Sequence, residues 1–229
     1  MDFKFINNNS ENLLIIFGTN LYNPDKFEFN NYTNRFFNEN TVNKPSILFL
    51  RDRRRSWYYY GICGFSKNYE DTIKSINKYK YDYNFKKIIM MGLSSGGYAS
   101  LYFGCSLNID YIIALSPQIE MSRSVWMYGN KFKKNYDKLP ENVKSDFDIS
   151  SLVSKHNKKI YIAWVKSSDW YNKRGRWVTQ NLNDEKSYDS IKSNNNIEHH
   201  FFENCNHCEV GDRAIKNGFL DKIFLKIFK

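Results

Sequence analysis

Residues 92 to 99, Gly-Leu-Ser-Ser-Gly-Gly-Tyr-Ala, set a hydroxyl among small residues directly behind the apolar stretch KKIIMM. Gly92-Leu93-Ser94-Ser95-Gly96 fits G-x-S-x-G, a pattern whose small ends allow a sharp turn from strand to helix and lift the central serine out of the sheet. A helix opening at that point also aims backbone amides and the positive end of its dipole at any oxyanion formed there. A serine hydroxyl is a weak nucleophile at neutral pH and needs a base beside it. Four histidines are available. His156 lies in a polar stretch before a strand and reads as a surface residue, while His199 and His200 fall inside a strand. His207 lies in the loop NCNHCEVGD between the last strand and the last helix, and is the expected base.

An imidazole base needs a carboxylate that fixes its tautomer and stabilises the imidazolium. Asp169, in KSSDWY just beyond the strand KKIYIAWV, stands at the same sheet edge and between the serine and the histidine in chain order. It is the expected acid. Asp184 and Asp189 read as helical and solvent-facing, and Glu203 lies within the last strand. The oxyanion hole requires two preorganised amides. One is expected from Ser95 and the other from the loop FGTN, at Gly18 or Thr19.

These groups must be held by a frame. Short apolar runs at 13–18, 46–51, 86–92, 110–116 and 158–165 have the character of strands buried on both faces, with 197–204 as a further strand and 3–7 as an edge. Helical patterns lie between them. Asn68 is placed to cap a helix opening with Glu70 and Asp71; a second helix starts near Ser95; a third covers about 212–228, where Ile215, Phe219, Ile223 and Ile227 recur every four residues. Such alternation implies an α/β domain with a mostly parallel sheet covered by helices on both faces. Residues 1–229 are read as a single domain, with 117–157 as a lid or cap insertion carrying Trp126.

Hydrophobic residues make up 41% of the 229, which argues against disorder. No apolar run reaches the length of a membrane span, and MDFKFINNNS has none of the regions of a signal peptide, so the expected compartment is the cytoplasm. Four cysteines in a chain of this length do not make a disulfide framework. The net charge of +10 favours an anionic partner or substrate without setting any chemistry.

With these residues in place, the chain resembles the α/β-hydrolase-fold serine enzymes over nearly its whole length. More narrowly it is similar to small cytosolic α/β hydrolases and O-acyltransferases of bacterial and viral surface-glycan gene clusters. The resemblance rests on Asp52 at a strand end, Trp57-Tyr58, Gly92 to Ala99, Ser116-Pro117-Gln118, and His207 followed by Asn217-Gly218-Phe219-Leu220. Ser95 departs from the methionine or lysine common after the nucleophile. The resemblance implies a Ser94–Asp169–His207 triad working on an ester, with hydrolysis first and glycan O-acetyl transfer as the alternative. No cofactor is implied for hydrolysis; acetyl-CoA would be the donor for transfer. A non-catalytic binding or assembly protein retaining the fold is the rival from another class.

The run RDRRRSWYYYG at 51–61 interleaves basic and aromatic residues, as single-stranded nucleic-acid binders do. Its place behind a strand end favours a lip of the site instead, where Asp52, Arg55, Trp57 and Tyr58, with Gln118 and Trp126, would contact a glycan ester, anionic in the reading the arginines favour. Cys205-Asn206-His207-Cys208 lacks the second ligand pair of a structural zinc site, and no metal is expected. Neither a P-loop nor a G-x-G-x-x-G dinucleotide turn occurs.

Overall fold

A computed structural model describes residues 1–19, 26–119, 148–166 and 176–229, with single positions 137, 141 and 144 between them; of 176–183 it describes the backbone alone. The strands are β1 (Phe3–Ile6), β2 (Asn12–Phe17), β3 (Ser46–Leu50), β4 (Lys87–Leu93), β5 (Tyr111–Leu115), β6 (Lys159–Val165) and β7 (Ile197–Phe202). Among the described residues they form one sheet in the order β1-β3-β2-β4-β5-β6-β7. Only β1 runs antiparallel, against β3; each other neighbouring pair is parallel.

Alternation along each central strand divides the core in two. Leu13, Ile15 and Phe17 of β2 face one layer, and Leu14 and Ile16 the other. The first layer is covered by α2 (Tyr69–Asp82), α3 (Ser95–Ser106), α4 (Ser150–Lys155) and the end of α5 (Arg176–Ile191). The second is covered by α1 (Asn30–Glu39), α6 (Val210–Lys216) and α7 (Phe219–Phe228). The Asn68 side chain accepts from the Asp71 amide and starts α2, as its position implied.

Two features differ from the sequence reading. The helix expected over about 212–228 is two helices, because Gly218 takes a left-handed conformation with φ 68° and breaks the run at Asn217-Gly218. The break lets α7 turn its stripe Leu220, Ile223, Phe224 and Ile227 onto the sheet, where each fully buried side chain contributes about 1.5–3 kcal/mol. Helix α1 was not foreseen. It buries Tyr32, Phe36 and Phe37, and Tyr32 donates to Asp221 Oδ1 (2.8 Å), tying it to α7. Most of the expected insertion 117–157, Trp126 included, lies outside the described residues, but its two feet meet where the Ile149 amide donates to the Ile119 carbonyl.

Candidate active site

Strand β4 is central, with β2 and β5 on either side, so its carboxyl end opens in the middle of one sheet edge. Ser94 follows it with φ 54° and ψ −118°, a backbone conformation strained for any residue with a Cβ. Its amide donates to the Leu115 carbonyl (2.8 Å), pinning the turn to β5. The turn also requires its glycines. A Cβ on Gly92 would lie 2.2 Å from Gly96 backbone atoms, and one on Gly96 would lie 2.2 Å from the Phe17 carbonyl oxygen. Behind the turn, Ser95 opens α3, so its amide has no acceptor within the helix, while its side chain is buried.

Beyond β7 the chain makes a short 3₁₀ turn, His207–Glu209. Asn206 caps it by accepting from the Cys208 amide, and Glu209 answers by accepting from the Asn206 amide. This double hold presents a His207 ring that is 1% exposed. Its Nε2 lies 2.9 Å from Ser94 Oγ and its Nδ1 2.9 Å from Asp184 Oδ1. A carboxylate only accepts, so Nδ1 carries the proton and Nε2 is left to accept from the serine hydroxyl.

Among the described residues the carboxylate on His207 is Asp184, a residue whose sequence setting pointed to solvent. Asp169, the expected acid, lies outside the described residues. Asp184 is helical as read, but only 1% exposed. It shares a face of α5 with Ser187 and Ile191, both buried, at the three- and seven-residue steps of one helical stripe. That stripe was the signal in the sequence. Asp189, by contrast, is exposed and pairs with Lys192, and Glu203 is exposed and pairs with Lys166.

Neither expected oxyanion amide in the loop after β2 points to the serine. The Gly18 amide donates to the Leu50 carbonyl (2.8 Å), and the Thr19 amide donates to Glu28 Oε2 (2.6 Å). Burial raises the Glu28 carboxyl above its usual range, although the Thr19 hydrogen bonds pull it back.

Of the expected substrate contacts, Asp52 and Tyr58 serve the architecture. Asp52 is 4% exposed and accepts from the amides of Ser56 and Tyr58. Burial raises its carboxyl pKa, with those amides acting against the shift. Tyr58 is fully buried and donates to the Gly18 carbonyl (2.7 Å). Trp57 is buried too, its indole N–H donating to Gln118 Oε1 (2.7 Å) while Gln118 Nε2 donates to Ser94 Oγ (3.1 Å). Arg55 is partly exposed in the same loop. In the arginine run, Arg53 bridges Asp2 (3.0 Å) and Arg54 donates to the Tyr60 carbonyl.

His156 is buried, contrary to its sequence reading as a surface residue, and burial lowers its pKa. His199 accepts at Nδ1 from the Trp164 indole (3.0 Å), and His200 stacks on Phe219. Cys205 is buried against the Phe202 carbonyl, its thiol pushed up to about 11 by burial.

A cleft of about 490 Å³ is bordered by Leu93 and Cys208, the chain neighbours of Ser94 and His207. Leu93, Cys208 and Gly211 form the wall nearest the triad, Phe29 and Tyr32 the apolar side, and Lys4, Lys26 and Glu28 supply charge.

No family model matches the chain, and neither does any curated protein sequence. Solved structures do. The glycosylation-associated Gap123 complex of Streptococcus agalactiae superposes with a TM-score of 0.62 at 15% identity, over 96% of this chain. The chain spans only 43% of that protein. The capsule O-acetyltransferase of Neisseria meningitidis serogroup A matches with a TM-score of 0.64 at 12% identity, covering 97% of this chain and 91% of its own. An esterase of Pyrococcus furiosus matches with a TM-score of 0.61 at 16% identity, covering 99% and 87%. The fold is α/β-hydrolase-like.

Proposed function

We propose that the chain is a serine-dependent acyl-transfer enzyme, foremost a carboxyl-ester hydrolase. The observation that carries this reading is the unbroken line Ser94 Oγ–His207 Nε2 and His207 Nδ1–Asp184, in hydrogen bonds of 2.9 Å at each step. Ser94 Oγ attacks the ester carbonyl and its proton passes to His207 Nε2, which then protonates the departing alcohol. The resulting acyl-enzyme is resolved by water, activated through the same nitrogen. Asp184 holds the ring and stabilises the imidazolium.

Transfer to a sugar hydroxyl in place of water is the second reading. It is favoured by the end-to-end likeness to a capsule O-acetyltransferase and by a cleft, bordered by Leu93 and Cys208, large enough for a second substrate. It needs an acyl donor such as acetyl-CoA, whereas hydrolysis needs no cofactor. An anionic glycan ester is the substrate class that the net charge of +10 favours.

Incubation with a fluorophosphonate probe, followed by intact-mass analysis and peptide mapping, tests the reading. One adduct on Ser94, absent from Ser94→Ala, is the expected result. An unlabelled wild-type protein that also fails to cleave simple esters would leave the fold as a binding scaffold.

A further inference from the structure

Resting on that reading, we propose that Gln118 is a catalytic residue whose side-chain amide, aimed by the Trp57 indole, completes the oxyanion hole with the Ser95 backbone amide. An oxyanion hole needs donors fixed before the charge develops. The Gly18 and Thr19 amides, expected in that role, are committed to the Leu50 carbonyl and the Glu28 carboxylate. Gln118 Nε2, in contrast, already stands 3.1 Å from the nucleophilic oxygen.

A glutamine amide ordinarily leaves open which end is the donor, but here the partner decides it. An indole N–H only donates, so it must face Gln118 Oε1, at 2.7 Å. Nε2 is thereby turned to Ser94 as a donor. The hydroxyl proton of Ser94 goes to His207, and the amide of Gln118 rests on an oxygen lone pair. When Oγ bonds to the ester carbon, the π pair of the carbonyl moves onto its oxygen, two bonds from Oγ. A donor waiting at Oγ needs only a small shift to reach it.

The aim of Trp57 is itself enforced. Arg55, Trp57 and Tyr58 all have positive φ, at 55°, 52° and 68°, an unfavourable conformation for side chains of this size. Strain of this kind persists only where the surroundings over-determine it. The Asp52 carboxylate gathers the amides of Ser56 and Tyr58, and the Tyr69 hydroxyl donates to the Trp57 carbonyl (2.7 Å). The buried carboxylate, the strained loop and the indole thus form one support for a single amide.

The test uses the full chain with a 4-nitrophenyl ester and with a trifluoromethyl ketone, whose serine adduct carries an oxyanion. Gln118→Glu keeps the shape but loses the NH₂ donor, and Gln118→Met is a second variant should the first misfold by thermal melt. Either should lower kcat by about 10²–10³-fold with KM nearly unchanged, and weaken the ketone by a similar factor. Trp57→Phe should move the same two quantities in the same direction, by less. Variants that keep kcat and ketone affinity within roughly threefold of wild type overturn the proposal, as does a rise confined to KM, which would make Gln118 a substrate contact. Fluorophosphonate labelling run in parallel separates the two levels. A labelled, active wild type with indifferent Gln118 variants removes the oxyanion role alone; an unlabelled, inactive wild type removes the serine-enzyme reading and this proposal together.

Discussion

At the scale of single residues, the chemistry depends on which carboxylate faces the histidine. Asp184 and His207 are both 1% exposed, so their 2.9 Å contact is little screened by water. Asp184→Asn keeps the shape but permits the wrong histidine tautomer, and should lower kcat by about 10⁴-fold while leaving the melting temperature close to wild type. Glu203→Gln, on an exposed residue paired with Lys166, should leave kcat unchanged in the same assay. Equal activity of Asp184→Asn and wild type would remove Asp184 from the reaction. Ser94 and His207 were legible in the sequence because each follows a strand at a point where small or capping residues signal a turn. Asp184 was not, since a helical aspartate beside Glu185 and Lys186 looks like one more solvated charge. Its phase relative to Ile191 is a two-turn relation that is plain only once the buried face is known.

At the scale of elements, the 52–58 loop is the part whose stability and function are joined. Asp52→Ala leaves two buried amides without their acceptor, at about 1–3 kcal/mol each, partly recovered if the loop relaxes its positive φ angles. The expected outcome is a destabilisation of about 2–4 kcal/mol by urea denaturation, with a fall in kcat larger than any change in KM. Asp52→Asn retains an accepting oxygen and should lose less of both. If Asp52→Ala loses stability but keeps full kcat, the loop supports the fold and not the site. The strands were readable almost throughout, since buried parallel strands are continuous apolar runs. The role of the loop after β2 was not, because the Thr19–Glu28 contact joins residues nine apart in a way that no periodicity reports.

At the scale of the molecule, the excess of positive charge concerns encounter more than chemistry. Arg53 and Arg54 already have partners within the chain, so attraction of an anionic substrate would come from the summed field and not from a dedicated arginine clamp. Raising ionic strength from 0.1 to 1 M shortens the screening length from about 10 to about 3 Å. An acidic acylated saccharide should therefore lose kcat/KM with salt, while a small neutral ester should change little. Parallel responses of the two substrates would rule out an electrostatic preference. The α/β frame was evident from the alternation of elements. The break at Gly218 was also written in the sequence, as an Asn-Gly step within an otherwise continuous stripe.

The placement of Asp184 on α5 changes what the site can tolerate. An acid on a loop is reached by a chain whose length can vary, and small insertions are absorbed by a different path. An acid on a packed helix is geared to that helix: one residue added between Asp184 and Ile191 turns the carboxylate by about 100° while Ile191 stays anchored in the core. Length changes in this two-turn segment would disengage the acid without unfolding the domain. Variation in the length of the chain is therefore to be sought before the helix begins, and the spacing from Asp184 to Ile191 becomes a measure of whether a related chain can still engage its histidine.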